Sequence, residues 1–466
     1  MSADVGRAFP RIMISAGSSG SGKTMVTCGL LQAIRNRGLR AASFKCGPDY
    51  IDPMFHSGVI GTQSVNLDTF FTSPELTRAL FMRRAAGCDI SVLEGVMGFY
   101  DGLGGVSVRA SAYDVAAVTD TPVILVVDCQ GTSLSLAAYI KGFSSFREDS
   151  RIKGVILNRT SGMLWSKLRN VLERETGLPC LGYVPKLDEA LIDSRHLGLV
   201  MPQEIPALRQ KLERLAAVLE HTLDVDAILR LARTAPAPGP AKDLRPRWHS
   251  RRPLRIGVAK DEAFCFIYED NLALLREMGA ETVFFSPLHD RRLPEKLDGI
   301  LLYGGYPELY AAGLSENKSM RDSVADALKN GLPCMAECGG FMYLHEELED
   351  MEGRIFPMTG VIRAGAFRTD KLVRFGYVLL RPRSEVFLEN DVGDCPGHEF
   401  HYYDSKLCGS GFYAEKPAGG AGWECIHTGP SLMAGFPHLY YYGNRKLPEA
   451  FLKRCEQTLL FTAGFK

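Results

Sequence analysis

Gly17-Ser-Ser-Gly-Ser-Gly-Lys-Thr24 follows the run Arg11-Ile-Met-Ile-Ser15 and leads into Met25-Val-Thr-Cys-Gly-Leu-Leu-Gln-Ala-Ile-Arg-Asn-Arg-Gly38. The octet fits G-x-x-x-x-G-K-[ST] at every fixed position, with a β-type run before it and a helix-forming stretch after it. This is the context a phosphate-binding P-loop requires. Gly17, Gly20 and Gly22 let backbone N–H groups face phosphate oxygens, Lys23 is placed to reach the β- and γ-phosphates of ATP, and the Thr24 hydroxyl to ligate Mg²⁺. The helix N-terminus adds a favourable dipole for the anion. A strand feeding such a loop belongs to a parallel α/β sheet, whose C-terminal strand ends line the ligand crevice.

The pattern continues outward from this unit. Apolar runs at Arg11–Ser15, Ala41–Phe44, Ile90–Leu93, Val123–Val127, Val155–Leu157 and Cys180–Tyr183 alternate with helical stretches and predict a parallel sheet of at least five strands. From Pro206 to Arg233 the period is helical, with Leu208, Leu212, Leu215 and Leu219 on one face. Thr234–Pro253 is Pro-rich and basic without a hydrophobic period and reads as a linker. A second α/β pattern starts at Arg255 and continues through Val283, Gly299 and Leu332. The expected organisation is therefore a nucleotide domain over 1–233, a linker over 234–253 and a second α/β domain over 254–466.

Composition limits the partners. The length, 466 residues, is about three times the ~150 of a typical domain, so more than one core is expected. The 54 basic residues cancel the 54 acidic ones, which removes the electrostatic argument for nucleic acid or an anionic membrane surface and favours a small ligand. Twelve Cys are too dilute for a disulfide scaffold, no stretch reaches the ~18 apolar residues of a membrane span, and the first residues carry no leader-peptide pattern. The expectation is a cytoplasmic protein. Glycine, at 47 residues, exceeds the usual ~7 %, which directs attention to turns that approach ligands closely.

Two further loops fall at predicted strand ends. Lys45-Cys-Gly-Pro-Asp-Tyr-Ile-Asp-Pro53 reads as a Pro-stiffened turn that places Lys45 to meet phosphate and Asp49 and Asp52 to meet Mg²⁺ or position a substrate. In Leu93-Glu-Gly-Val-Met-Gly-Phe-Tyr-Asp-Gly102, Glu94 takes the place of the acid that holds Mg²⁺ directly or through water, and Asp101 lies in the same loop.

The second half carries a thiol. Leu332-Pro-Cys-Met-Ala-Glu-Cys-Gly-Gly-Phe-Met-Tyr343 reads as a strand, a sharp turn at Cys338 and a helix, the arrangement of a nucleophile elbow. The Gly339 N–H is placed to stabilise an oxyanion, and the helix N-terminus is expected to favour thiolate. Gly304-Gly-Tyr-Pro-Glu308 offers a second donor near Gly305, and His438 in Gly435-Phe-Pro-His-Leu-Tyr440 supplies a base. Pro396-Gly-His-Glu-Phe-His-Tyr-Tyr403 lacks the i, i+4 histidine spacing of a helical zinc motif, so His398 and His401 are read as structural or substrate-contacting, with no metal assigned.

These motifs together resemble the glutamine-dependent amidotransferases of corrin biosynthesis, over nearly the whole chain. Besides the P-loop and the Cys338 elbow they comprise KCGPDYIDP from Lys45, NLDTFF from Asn66, EGVMGFYDG from Glu94, GVILNR from Gly154, GYVP from Gly182 and GHEFHYY from Gly397. KCGPDYIDP with EGVMGFYDG is the specific part and favours the branch that amidates the a and c acetates of cobyrinate over the relative that amidates other side chains of the ring. The resemblance implies a P-loop domain joined to a class I glutaminase-like α/β domain. It implies ATP, Mg²⁺, L-glutamine and a tetrapyrrole polycarboxylate as ligands, acyl-phosphate intermediates, and ammonia released by Cys338 with help from His438. It also implies that Asp49, Tyr50, Ile51, Asp52, Glu94 and Asp101 shape the ATP and substrate loops, and it allows a homodimer.

Class I glutaminases usually place Glu two residues after the catalytic His. Here that residue is Tyr440, which implies a Cys–His dyad. The same diamidation on nickel-sirohydrochlorin is the nearest alternative activity. A P-loop partitioning or scaffold ATPase is a more distant one, which the Cys338 half would leave unexplained.

Overall fold

The computed structural model describes residues 8–187, 194–195, 198–199, 208–389 and 391–463. The first seven residues, on which the leader-peptide reading rests in part, and Pro206, where the helical pattern begins, lie outside them. The chain forms two compact units, Met1–Leu244 and Arg245–Lys466.

The first unit is built on seven strands, β1 (Arg11–Ala16), β2 (Ala41–Cys46), β3 (Gln63–Leu67), β4 (Ile90–Glu94), β5 (Val123–Asp128), β6 (Ile152–Asn158) and β7 (Cys180–Val184), in the order β3-β2-β4-β1-β5-β6-β7. Every pairing is parallel. β1 lies at the centre between β4 and β5, so the loops after β1 and β4 open side by side at one sheet edge. The apolar-run reading passes over β3, Gln-Ser-Val-Asn-Leu. Its polar residues Ser64 and Asn66 are buried because the fold satisfies them: Ser64 Oγ donates to Ser43 Oγ at 3.3 Å, and Asn66 Nδ2 donates to the Gly47 and Asp49 carbonyls at 2.9 and 2.6 Å.

One sheet face is covered by α1 (Lys23–Asn36), which packs with Leu208–Thr222 and Val225–Arg233 around a core that includes Ile12, Ile14, Leu30, Ile34, Leu212, Leu215, Leu219 and Ile228. A Cβ at Gly29 would overlap Leu219, so this glycine sets how closely α1 meets the Leu208–Thr222 helix. The predicted turn at Lys45–Pro53 is only half a turn: from Ile51 the chain is helical, first as α2 (Ile51–Phe55) and then as a π-helical turn over His56–Ile60. Pro53 is tolerated there because the first turn of a helix needs no N–H from it. Two further short strands, β8 (Ser194–Arg195) and β9 (Gly198–Leu199), pair antiparallel.

The Thr234–Pro253 stretch has no regular element past the helix cap, yet it is held at both ends. The buried Arg11 guanidinium donates to Pro236 O at 2.8 Å, Arg78 Nε donates to Pro240 O at 2.7 Å, and Lys242 N donates to Glu75 O at 3.0 Å. Beyond the unit boundary, Ser250 N donates to Met278 O at 2.9 Å, and Arg252 forms a bidentate pair with Asp298 at 2.8 and 3.0 Å.

In the second unit, β10 (Leu254–Ala259) pairs in parallel with β12 (Ala280–Phe285) and β13 (Gly299–Leu302), and the parallel sheet continues through β15 (Cys334–Glu337) to β25 (Leu432–Gly435), with β24 (His427–Thr428) antiparallel at the edge. β11 (Phe264–Phe266) pairs antiparallel with β14 (Gly304–Gly305), fixing the Gly304–Gly305 turn. After β15 the chain builds two sheets that the α/β reading did not anticipate. One has the order β17-β16-β18-β21, from His345–Glu349 (β16), Ile355–Pro357 (β17), Ile362–Arg368 (β18) and Tyr403–Ser405 (β21). The other has the order β23-β22-β19-β20-β26, from Arg374–Pro382 (β19), Cys395–His401 (β20), Phe412–Glu415 (β22), Trp423–Cys425 (β23) and His438–Leu439 (β26). This second sheet delivers His438 toward the end of β15.

Candidate functional site

The first unit gathers its predicted residues around the end of β4. Gly20 and Gly22 have φ of +77° and +93°, backbone that L side chains rarely adopt, and α1 begins at Lys23. Lys23 Nζ donates to Ser18 O at 2.8 Å and Met97 O at 2.6 Å, bridging the P-loop and the Glu94–Gly102 loop. Burial, reinforced by the charge of Lys45, lowers this ammonium to about 8. Thr24 Oγ1 donates to Glu94 Oε1 at 2.5 Å, and Lys45 Nζ donates to the same oxygen at 2.8 Å. Lys45 also pairs with Asp52 and stands 4.0 Å from Asp49, whose Oδ1 accepts the Asp52 N–H at 3.1 Å.

Tyr50 and Ile51 are buried at the start of α2 and carry Asp49 and Asp52 on either side. Asp101 Oδ2 accepts the Gly98 N–H at 3.1 Å and shapes the opposite loop. Gly17 lies under Tyr139 and Phe143, with no room for a side chain.

Two buried carboxylates, Asp52 and Glu94, and the partly exposed Asp49 thus face two ammonium groups. Burial and the charge of Asp52 raise Glu94 to about 7 and Asp49 to about 6. Burial acts on Asp52 in the same direction, but Lys45 outweighs it and keeps Asp52 below its ordinary range. Glu94 Oε2 is buried without a hydrogen bond. Among the described residues no cluster of three His, Cys, Asp or Glu side chains is arranged to hold a metal by itself. Surplus negative charge with too few protein ligands suits Mg²⁺, which keeps waters and shares phosphate oxygens with one or two carboxylates.

Sequence reading missed His56 here. It is fully buried beneath Glu94, with Nε2 3.5 Å from Glu94 Oε2 and Nδ1 2.7 Å from Ser43 Oγ, and burial lowers it to about 4. Its one signal was a histidine directly following the Asp-Pro-Met-Phe turn.

The second unit bends sharply at Cys338, whose φ of 45° and ψ of −105° put a non-glycine residue in the strained region used by nucleophile elbows. Cys338 N donates to Gly435 O at 2.8 Å, anchoring the turn to β25. A Cβ built on Gly339 would lie 3.1 Å from Gly305 N, so the two predicted oxyanion donors adjoin. The expectation that a helix dipole favours thiolate is corrected. The helix, Gly339–Tyr343, is only five residues long, and burial followed by the charge of Glu308 raises the thiol well above its ordinary value, with the Gly339 N–H opposing.

His438 is buried and sits across from His398 in the β20–β26 pairing, the rings 6.4 Å apart. Burial, the largest cause, lowers it well below its ordinary value. His401 stacks on Phe436 at 4.1 Å and donates from Nδ1 to Tyr403 O at 2.6 Å, while burial lowers His398 to about 3 and His401 to about 4. Both histidines back the site as neutral rings. A residue the motif reading did not weigh, Glu337, lies with Oε2 3.8 Å from His438 Nδ1. It is an acid in the otherwise apolar run Cys334–Glu337, immediately before the thiol.

Comparison with known proteins finds a different domain family in each half of the chain. Residues 12–199 match the CobQ/CobB/MinD/ParA nucleotide binding domain, and residues 255–414 match the CobB/CobQ-like glutamine amidotransferase domain. The cobyrinate a,c-diamide synthase of Listeria innocua is 39 % identical over 440 residues, covering 93 % of this chain and 97 % of that protein. Those of Caldanaerobacter subterraneus and Salmonella typhimurium are 38 % and 42 % identical, covering 95 % and 87 % of this chain and 98 % and 87 % of their own lengths.

Proposed function

The chain belongs to the cobyrinate a,c-diamide synthase family, and on that premise we propose that its two sites act in series, one releasing ammonia from glutamine and the other using ATP to activate cobyrinate. It is a glutamine-dependent ligase of cobalamin biosynthesis with a nucleotide-binding P-loop domain. The observation that carries the residue assignments is the presence, in one chain, of a Lys–carboxylate phosphate site at Lys23, Thr24, Lys45 and Glu94 and a strained thiol at Cys338 with His438 beside it.

In the second unit the Cys338 thiol gives its proton to His438 and the thiolate attacks the side-chain amide carbon of glutamine. The oxyanion is held by the N–H groups of Gly339 and Gly305, His438 returns the proton to the leaving ammonia, and water then hydrolyses the thioester to glutamate. In the first unit an acetate carboxylate of the ring attacks the γ-phosphorus of ATP, ADP leaves, and an acyl phosphate forms. Ammonia adds to the acyl carbon and inorganic phosphate departs, leaving the amide. Gly17, Gly20, Gly22 and Lys23 hold the triphosphate, Lys45 offsets charge on the transferred group, and Asp49, Tyr50, Ile51, Asp52 and Asp101 form the walls against which the ring carboxylate is set. Thr24 and Glu94, with Asp49 nearby, would hold Mg²⁺, which would supply neutralisation of the phosphate charge.

Among the described residues no helix is long and apolar enough to cross a membrane. Small water-soluble substrates agree with a cytoplasmic enzyme. We extend the proposal to a homodimer, which sedimentation of the purified protein tests.

The deciding experiment is mass spectrometry of cobyrinate and, separately, nickel-sirohydrochlorin incubated with the protein, ATP, Mg²⁺ and glutamine. Two amides gained by cobyrinate, dependent on both ATP and Mg²⁺, is the expected result. Amidation of the nickel ring alone, or product without ATP, overturns the proposal.

A further inference from the structure

The residue two positions after His438 does not serve the imidazole: Tyr440 turns toward the helix Glu269–Glu277 and donates its hydroxyl proton to Asp270 Oδ2 at 2.8 Å. We propose that Glu337 is the positioning acid of the glutaminase site, holding His438 from the strand side so that Nε2 remains to take the proton of Cys338. This inference rests on the two-site reading above.

The geometry has three parts. Glu337 Oε2 lies 3.8 Å from His438 Nδ1 with both side chains buried, and such contacts tighten when substrate enters. The same oxygen accepts the Leu439 N–H at 3.3 Å, so Glu337 also fixes the backbone that carries the imidazole. Its other oxygen, Oε1, is buried without a hydrogen bond. A carboxyl at the end of a fully buried central strand is costly unless something else compensates for it. A cationic imidazole formed during the reaction is such a partner.

When Sγ–H of Cys338 passes its proton to Nε2, the ring becomes an imidazolium with Nδ1–H directed at Glu337, whose carboxylate accepts that hydrogen bond and offsets the charge. The surrounding groups do not provide this. His398 and His401 face the ring from β20 as neutral rings and carry no negative charge to offset an imidazolium, and Glu308 and Glu399, like Glu337 itself, act on Cys338. Tyr303 and Tyr441, hydrogen-bonded to each other at 3.1 Å, face Glu337 and keep their protons, while Asp270 is engaged by Tyr440. Burial raises Glu337 to about 8, so its carboxylate form, and with it the support of the imidazolium, is lost as pH falls below that value.

The test is glutamine hydrolysis by the full-length enzyme as a function of pH, for the wild type, Glu337→Gln, Glu337→Asp and Cys338→Ala. The expected results are an acid limb in wild-type kcat/KM near pH 8, a fall of about 100-fold in kcat for Glu337→Gln with KM for glutamine within about 3-fold, and loss of that limb. Glu337→Asp restores part of kcat and the limb. Ammonia-driven amidation verifies that each variant is folded. A Glu337→Gln enzyme within about 3-fold of wild type and with the same limb overturns the inference. So does a wild-type profile flat between about pH 6.5 and 9, which needs no variant to fold. Persistence of glutamine hydrolysis in Cys338→Ala instead overturns the two-site reading itself.

Discussion

A Cβ placed on Gly304 would lie 2.5 Å from Cε1 of His438, so the imidazole rests directly against a bare α-carbon. The same hypothetical atom would stand 3.4 Å from the Cys338 Cβ. Gly304 is thus the spacer that admits nucleophile and base to one site. Gly304→Ala is expected to displace the ring, cut glutamine hydrolysis by at least about 10-fold and destabilise the protein by about 1–3 kcal/mol. Amidation driven by added ammonia should survive. Paired assays with glutamine and ammonium chloride check this, and equal loss with both nitrogen sources would contradict it.

On the proposed two-site scheme, Cys338→Ala removes only the group assigned to liberate ammonia. It is expected to lose glutamine-dependent diamidation entirely while keeping turnover with added ammonia, read as amide gain by mass spectrometry. A folded variant inactive with both sources would count against separate sites.

At the other site, Glu94 accepts hydrogen bonds from both Thr24 and Lys45 on one oxygen, so on the proposed reading a change there would disturb phosphate and metal binding together. Glu94→Gln and Lys23→Ala should each reduce amidation by about 100-fold or more from either nitrogen source. Glutamine hydrolysis by the second unit provides the control. Amidation by both variants at wild-type rates would displace these residues from the ATP site.

Several buried histidines make stability depend on pH. His345 is fully buried, with Nδ1–H donated to Phe341 O at 2.9 Å and Nε2 2.8 Å from Ser405 Oγ, and burial lowers it to about 4 from an ordinary 6.5. Below pH 6.5 the unfolded chain takes up a proton that the folded ring refuses. The stability this residue contributes is therefore complete above 6.5 and is lost as pH falls toward 4, by up to about 3 kcal/mol. Glu337, raised to about 8, acts oppositely, its contribution being complete below its ordinary value of 4.5 and lost as pH rises toward 8. Urea unfolding of His345→Gln against wild type isolates the histidine: the stability gap should narrow between pH 6.5 and 4. A constant gap would refute the assignment.

The parallel sheet of the first unit was legible because helices bury both its faces and its strands are apolar; Gln63–Leu67 escaped because its polar residues are satisfied by the neighbouring strand and the Lys45 loop. The antiparallel sheets of the second unit were not legible. β20, Cys-Pro-Gly-His-Glu-Phe-His, has neither an apolar run nor clean alternation, and what lets it bury two histidines, His398 across from His438 and His401 stacked on Phe436, comes from a later strand and turn. Local motifs indicated Cys338 and His438 as a pair. The proximity of Glu337 could not be read, because it depends on the direction in which β26 enters beside β15. Tyr440, the obvious departure from pattern, is explained only by Asp270, 170 positions away.

The tether between the units has a practical meaning beyond connectivity. Pro236, Pro240 and Lys242 are fastened by Arg11, Arg78 and Glu75, whereas Ser250 and Arg252 are fastened by Met278 and Asp298. Each half of the tether is stitched to the unit it adjoins, and the boundary between the halves falls between Leu244 and Arg245. Cleavage of the chain at that boundary would end covalent continuity while the fastenings at Pro236, Pro240, Lys242, Ser250 and Arg252 stay with their own units, which makes this chain suited to asking whether ammonia proposed to be released in one half must be handed over by a partner on the same polypeptide.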